Sequence, residues 1–207
     1  MMGGYSAVRW LFRTILRFGF GLTVIGGQHI PPRGPLVLAA NHRSDIDPVV
    51  VAAAVPRRCT FLTAAELLTR PVLGRLIRPF RVIPIRRGQF DRRAIEECLT
   101  RLEHGEALVI FPEGTISAEG RLLPAQDGMA FVAARARVPI LPMGISGTRQ
   151  VWPSGARWPR RGTVTVRVGE PIVPEAAPSR REQSALTARV MEVIRRLADR
   201  ERFPCRG

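Results

Sequence analysis

Lysine is missing from this 207-residue chain, so all 32 of its Lys+Arg cations are arginine. Arginine stays charged when partly desolvated and grips phosphate or carboxylate with a planar fork. Against 17 acids this leaves a net charge of +15. That field draws anionic lipid headgroups or nucleic acid, unless the arginine reflects no more than codon bias. Cysteine is scarce: Cys59, Cys98 and Cys205 lie far apart with no C-x-x-C pair. That excludes a disulfide framework and a zinc ribbon, and suits reduced thiols in a cytosolic setting. Aromatic residues for base stacking are few, with one Tyr, three Trp and nine Phe, and no nucleic-acid motif accompanies them. No nucleic-acid partner is expected, although a basic binding module is the competing class for such a charge.

Uninterrupted apolar runs are also lacking. Residues 10–25 (WLFRTILRFGFGLTVI) are strongly apolar but carry Arg13 and Arg17. A spanning helix needs about 20 apolar residues, and arginines near its middle are costly. Arg9, Arg13 and Arg17 recur every four residues on one helical stripe, with Trp10, Leu11, Ile15, Phe18 and Leu22 elsewhere. The pattern predicts an amphipathic helix over residues 1–28 that lies in a membrane interface. Packing on a protein core is the alternative.

What is present is ordinary globular composition: 45% hydrophobic, with Gly 19 and Pro 18 as breaks. Short apolar runs read as strands at 36–40, 59–63, 81–85, 107–111, 138–145 and 163–168. Pro84 marks an edge strand or a strand end. Helical patterns fall between them at 48–55, 71–78, 91–103 and 128–137, and Gly105 is placed to end the third in a left-handed conformation. A basic helix from about 184 to 200 closes the chain. Such alternation predicts a single α/β domain with a largely parallel sheet flanked by helices. It occupies 29–178, followed by a basic helical segment, 179–207, packed on or near it and without a chemical role.

Two segments carry chemistry. Asn41-His42-Arg43-Ser44-Asp45-Ile46-Asp47-Pro48 sets an imidazole five positions before a carboxylate, and Phe111-Pro112-Glu113-Gly114-Thr115 closes an apolar run. Residues five apart point about 140° from each other on a helix and to opposite faces of a strand. His42 and Asp47 therefore meet only if the backbone turns, as Asn41, Ser44 and Asp45 favour. The turn follows a buried strand, at the sheet edge where α/β proteins bind ligands. A carboxylate on one ring nitrogen leaves the other free to take a proton. No G-x-S-x-G serine and no cysteine motif supplies a nucleophile, so the base would activate a substrate hydroxyl. A zinc site built on His42, Asp45 and Asp47 lacks a third histidine or an H-E-x-x-H pattern.

The set N-H-x-S-x-x-D-P at 41–48, Ile83-Pro84-Ile85-Arg86-Arg87-Gly88, F-P-E-G-T at 111–115 and V-P-I-L-P at 138–142 resembles the glycerolipid acyltransferase family. Its best-known members are the 1-acyl-glycerol-3-phosphate (lysophosphatidate) acyltransferases. The resemblance implies that residues 29–178 form a catalytic domain at the cytoplasmic face of the cell membrane, peripheral or monotopic. It would move a fatty acyl group from acyl-CoA or acyl-carrier protein to a lysophospholipid hydroxyl, with no further cofactor or metal and no acyl-enzyme. It further implies His42 as base, Asp47 as its partner, Arg87 with Arg86 at the acceptor phosphate, and Glu113, Gly114 and Thr115 lining the acceptor site. Two departures bear on the acceptor. Ile116 stands where many relatives carry arginine, and Gln126-Asp127 precede Gly128 where many carry lysine. Arg86, Arg87 or Arg121 could compensate, or the acceptor could be another lyso-lipid. A non-catalytic lipid binder is the remaining alternative.

Overall fold

The computed structural model describes residues 3–68, 80–85, 91–117, 119, 121–175 and 178–199. Arg86 and Arg87, the helix expected at 71–78, and Cys205 lie outside them. Among the described residues seven strands form one sheet: β1 Thr23–Ile25, β2 Leu36–Ala40, β3 Cys59–Ala64, β4 Arg81–Ile85, β5 Ala107–Ile110, β6 Ile140–Ser146 and β7 Thr165–Val168, in the order β1-β7-β6-β2-β5-β3-β4. The five strands from β6 to β4 are mutually parallel. β7 is antiparallel to β6, and β1 is parallel to β7. Pro84 sits on the edge strand β4, the position in a sheet that best tolerates a residue without an N–H.

Burial explains the composition of the strands. In β2, Leu36, Leu38 and Ala40 join one core cluster, while Val37 and Ala39 join the other. A strand buried on both faces reads as continuously apolar. The first face is covered by helices α1 (Gly3–Phe20) and α2 (Asp47–Ala54). Beyond β3 the chain forms one helical turn, α3 (Ala65–Leu68). The second face is covered by α4 (Arg92–Glu103), α5 (Gly128–Ala136) and α7 (Arg180–Asp199). A short α6 (Thr148–Val151) follows β6. Asp91 caps α4 by accepting from the Ala94 N–H at 3.1 Å, and Gly105 ends it at φ 76°.

The N-terminal segment differs from a helix filling residues 1–28. α1 stops at Phe20, and Thr23–Ile25 pair with Thr165–Arg167 in the sheet. Helix α1 also has two apolar faces. Tyr5, Phe12, Leu16 and Phe20 pack inward, with Tyr5 and Phe12 against the Phe80 ring. Trp10, Leu11, Ile15 and Phe18 are exposed, the last at 82%. Arg13 and Arg17 are exposed beside them, while Arg9 reaches inward to the Val55 carbonyl. Among the described residues no helix is long and apolar enough to cross a membrane.

Helix α7 begins four residues earlier than its apolar pattern suggests. Ser179 and Glu182 exchange bonds, Glu182 Oε2 accepting from the Ser179 N–H and Ser179 Oγ from the Glu182 N–H. This is a capping box. Thr187, Val190, Ile194 and Ala198 are buried against the sheet. Gly144 makes the approach possible: a Cβ there would stand 2.4 Å from the Ala198 nitrogen.

Candidate active site

Strands β2 and β5 are hydrogen-bonded neighbours, with Ala39 opposite Ile110. The loops that leave their C-terminal ends, 41–46 and 111–117, must therefore run side by side. Asn41 continues the ladder with its side chain: Nδ2 donates to the Ile145 carbonyl at 2.9 Å, and Oδ1 accepts the Ile145 N–H at 2.7 Å. With its amide serving as a peptide mimic against β6, the backbone is free to turn. It turns at Ser44, whose carbonyl accepts the Asp47 N–H at 3.1 Å, and α2 starts there.

The turn folds Asp47 back onto His42, whose Nδ1 lies 3.0 Å from Asp47 Oδ2. The same oxygen accepts the backbone N–H of Arg43 at 2.6 Å and of Ser44 at 2.7 Å. With two backbone N–H groups already directed at this oxygen, the tautomer that complements it carries its hydrogen on Nδ1 and presents a lone pair at Nε2. Asp47 is completely buried. The Phe111 ring stacks on the imidazole, centroids 4.3 Å apart and planes at 25°, which fixes the ring from the side. Asp45 faces elsewhere, accepting from Ser154 Oγ and the Gly155 N–H, so it is not a third member.

Glu113 is buried and bonded to backbone at both oxygens. Oε1 accepts the His42 N–H at 2.8 Å, and Oε2 accepts the Leu123 N–H at 2.8 Å. Burial pushes its carboxyl above the ordinary value, against the pull of those two donors. Its visible work is to tie the two loops together, aided by the Ser117 N–H, which donates to the His42 carbonyl. Gly114, at φ 67°, lines the cavity beside Gln126, while Thr115 is exposed at the surface. Arg121 is also exposed.

His42 lines a cavity of about 460 Å³ whose other walls come from α4 and α5 and from β3 and β5. Leu62, Ile95, Ile110, Met129 and Val132 make its wall predominantly apolar. That volume and character suit an aliphatic ligand with one reactive polar end. Cys98 also lines it, but burial pushes this thiol up to about 12, so it offers no thiolate nucleophile. Cys59 is held at about 12 for the same reason.

Some of this constellation had no signature in the linear pattern. Asn41 stood inside the motif, yet its partner is 104 residues away. Arg43 pairs with Asp199, the last residue of α7, at 3.3 Å, which attaches the C-terminal helix to the loop carrying His42. That helix therefore reaches the loop that carries His42.

Three comparisons bear on this geometry. A family model described as Acyltransferase matches residues 21–146. A chloroplastic 1-acyl-sn-glycerol-3-phosphate acyltransferase of Brassica napus is 30% identical over 169 residues, 78% of this chain and 48% of the relative. The 1-acyl-sn-glycerol-3-phosphate acyltransferase alpha of Homo sapiens is 31% identical over 161 residues, 76% of this chain and 57% of the relative. The chain thus spans about half the length of these relatives. The crystal structure of the 1-acyl-sn-glycerophosphate (LPA) acyltransferase PlsC from Thermotoga maritima superposes with a TM-score of 0.78 at 26% identity, covering 100% of this chain and 86% of that one.

Proposed function

Because this chain belongs to the acyltransferase family, we propose that it transfers a fatty acyl group from a thioester, acyl-CoA or acyl-carrier protein, to the free hydroxyl of 1-acyl-glycerol-3-phosphate. The observation that carries this is the 3.0 Å His42–Asp47 contact, with His42 in the wall of an apolar cavity. The acyl chain lies in the cavity with its thioester carbonyl near His42. Nε2 takes the proton from the acceptor hydroxyl as its oxygen bonds to the carbonyl carbon. The C–S bond then breaks, and the imidazolium returns the proton to the departing sulfur. Asp47 keeps the ring in the Nδ1–H tautomer and balances the imidazolium charge. The transfer is direct, with no acyl-enzyme and no cofactor or metal.

The names of the relatives support this acceptor, and a phosphomonoester suits arginine forks. Arg87, with Arg86 beside it, is assigned to that phosphate. Gly114 borders the acceptor at the cavity mouth, with Glu113 behind it holding the loop and Thr115 at the rim. Helix α1 rests on the cytoplasmic face of the membrane through Trp10, Leu11, Ile15 and Phe18, with Arg13 and Arg17 at the headgroups.

Thiol release from acyl-CoA, followed across a panel of lyso-lipids, tests the reading. Lysophosphatidate is expected to give the fastest release, and His42→Ala to lower it by at least about 10³-fold while the protein still melts cooperatively. A folded His42→Ala protein of full activity would remove the mechanism. A faster neutral lyso-lipid would move the acceptor assignment and leave acyl transfer standing. No release with any acceptor would leave a lipid-binding protein.

A further inference from the structure

Seven large apolar side chains are exposed among the described residues, and five of them fall between positions 10 and 25. A sixth, Trp158, is 72% exposed on the loop from 152 to 164. Distant in sequence, this loop joins the same region in space. The Val164 N–H donates to the Phe20 carbonyl and the Thr23 N–H to the Val164 carbonyl, both at 3.0 Å. The Thr163 methyl lies 3.3 Å from where a Cβ on Gly21 would stand.

The loop is a held projection. Trp152 Nε1 donates to the Ala156 carbonyl at 2.9 Å, and the Arg160 N–H donates to the Val151 carbonyl at 2.7 Å. Its base is bonded to the loop that carries the catalytic pair, through Ser44 Oγ to the Trp152 carbonyl and through Asp45 to Ser154 and Gly155. Beyond that base, residues 157–163 are all exposed. Arg157, Arg160 and Arg161 flank Trp158 along the loop, and among the described residues none of the three forms an ion pair. The Arg157 guanidinium lies over the Trp158 ring, 5.9 Å from its centroid.

We infer that the 157–161 tip is a second membrane-contact element, which seats Trp158 and three arginines on an anionic bilayer surface next to α1. An indole among unpaired cations matches the headgroup layer, where an amphipathic ring and a positive charge both gain. None of these residues lines the active-site cavity, so they offer a face and not a pocket for a small anion. Attachment of the same loop to the C-terminal end of α1, at Phe20, favours a bilayer over an acidic protein. The inference rests on the reading of α1 as a membrane helix. It adds that the bilayer is gripped at two places, one of them bonded directly to the catalytic loop, so that docking sets the cavity mouth against the lipid surface.

Vesicle flotation of the full chain, on phosphatidylcholine alone and on phosphatidylcholine mixed with phosphatidylglycerol, tests it. Replacing Arg157, Arg160 and Arg161 together by Gln is expected to weaken binding to the mixed vesicles by about 100-fold, roughly five-fold per cation, with little change on neutral ones. Trp158→Ala is expected to weaken both, and neither variant should shift the melting temperature, since these side chains are exposed. Loop variants that float like the unaltered protein, while Leu11→Ser with Phe18→Ser does not, would overturn the inference and leave α1 as the membrane contact. An unaltered protein that floats on neither vesicle would overturn both. If the arginine variant floats normally but loses turnover with an acidic acyl-carrier donor, the tip serves a protein partner and the inference fails.

Discussion

Asp47 Oδ2 receives one imidazole and two backbone N–H donors, so asparagine there changes the chemistry while keeping the volume. With its NH₂ at the Oδ2 position the amide faces two backbone donors and imposes the wrong imidazole tautomer; turned, its carbonyl keeps the three bonds, but the NH₂ is buried without a partner and no charge balances the imidazolium. Asp47→Asn is expected to lower kcat by about 10²–10⁴-fold with KM for the acceptor nearly constant. A loss confined to KM in steady-state kinetics would contradict that assignment. Glu113 is the comparable case for architecture. Both of its oxygens accept backbone N–H groups, so Glu113→Gln sets an amide donor against one of them. The expected cost is about 1–3 kcal/mol, or roughly 2–12 °C in melting temperature for a chain of this size. Turnover should fall with it, because the His42 backbone is one of the two groups released. Unchanged melting would assign Glu113 to substrate alone.

At the level of elements, the site depends on a helix that contributes no reacting group. Helix α7 lies so close to β6 that a Cβ on Gly144 would overlap the Ala198 backbone. Gly144→Ala therefore forces the C-terminal turn of α7 outward, at a cost of about 1–3 kcal/mol. The same movement separates Asp199 from Arg43, whose own N–H holds Asp47. Calorimetry and thiol release together are expected to show lower stability and lower kcat. Asp199→Ala removes only a partly exposed ion pair, worth up to about 1 kcal/mol, and is the control that separates helix displacement from the loss of one charge.

At the scale of the whole molecule, α1 asks two things of one helix. Leu16 is buried in the core, and Phe18, two residues on, is 82% exposed. Leu16→Ala should cost about 2–5 kcal/mol and lower the melting temperature. Phe18→Ser with Leu11→Ser should leave melting unchanged and reduce flotation on vesicles, as expected of an interfacial face. Equal vesicle binding by that pair would take α1 out of the membrane-contact surface. The all-arginine charge acts at this scale as well, since +15 raises the local concentration of any anionic surface before contact is made.

Local patterns were sufficient for the α/β class, the parallel body of the sheet, the edge position of Pro84 and the capped limits of α4. Each depends on the period of side chains along one element, or on the backbone preference of a single residue. The turn between His42 and Asp47 was also legible, because only a reversal lets residues five apart meet. Strand β1 was not: three residues continuing an apolar helix carry no period of their own, and only pairing with β7 makes them a strand. The start of α7 was within reach, as Ser179 and Glu182 stand at capping-box spacing. What tertiary structure alone decided is which distant groups converge: Asn41 on Ile145, Asp199 on Arg43, and the 152–164 loop on Asp45 and the end of α1. Those contacts join positions far apart along the chain, so their energy depends on how the sheet is ordered and not on local spacing.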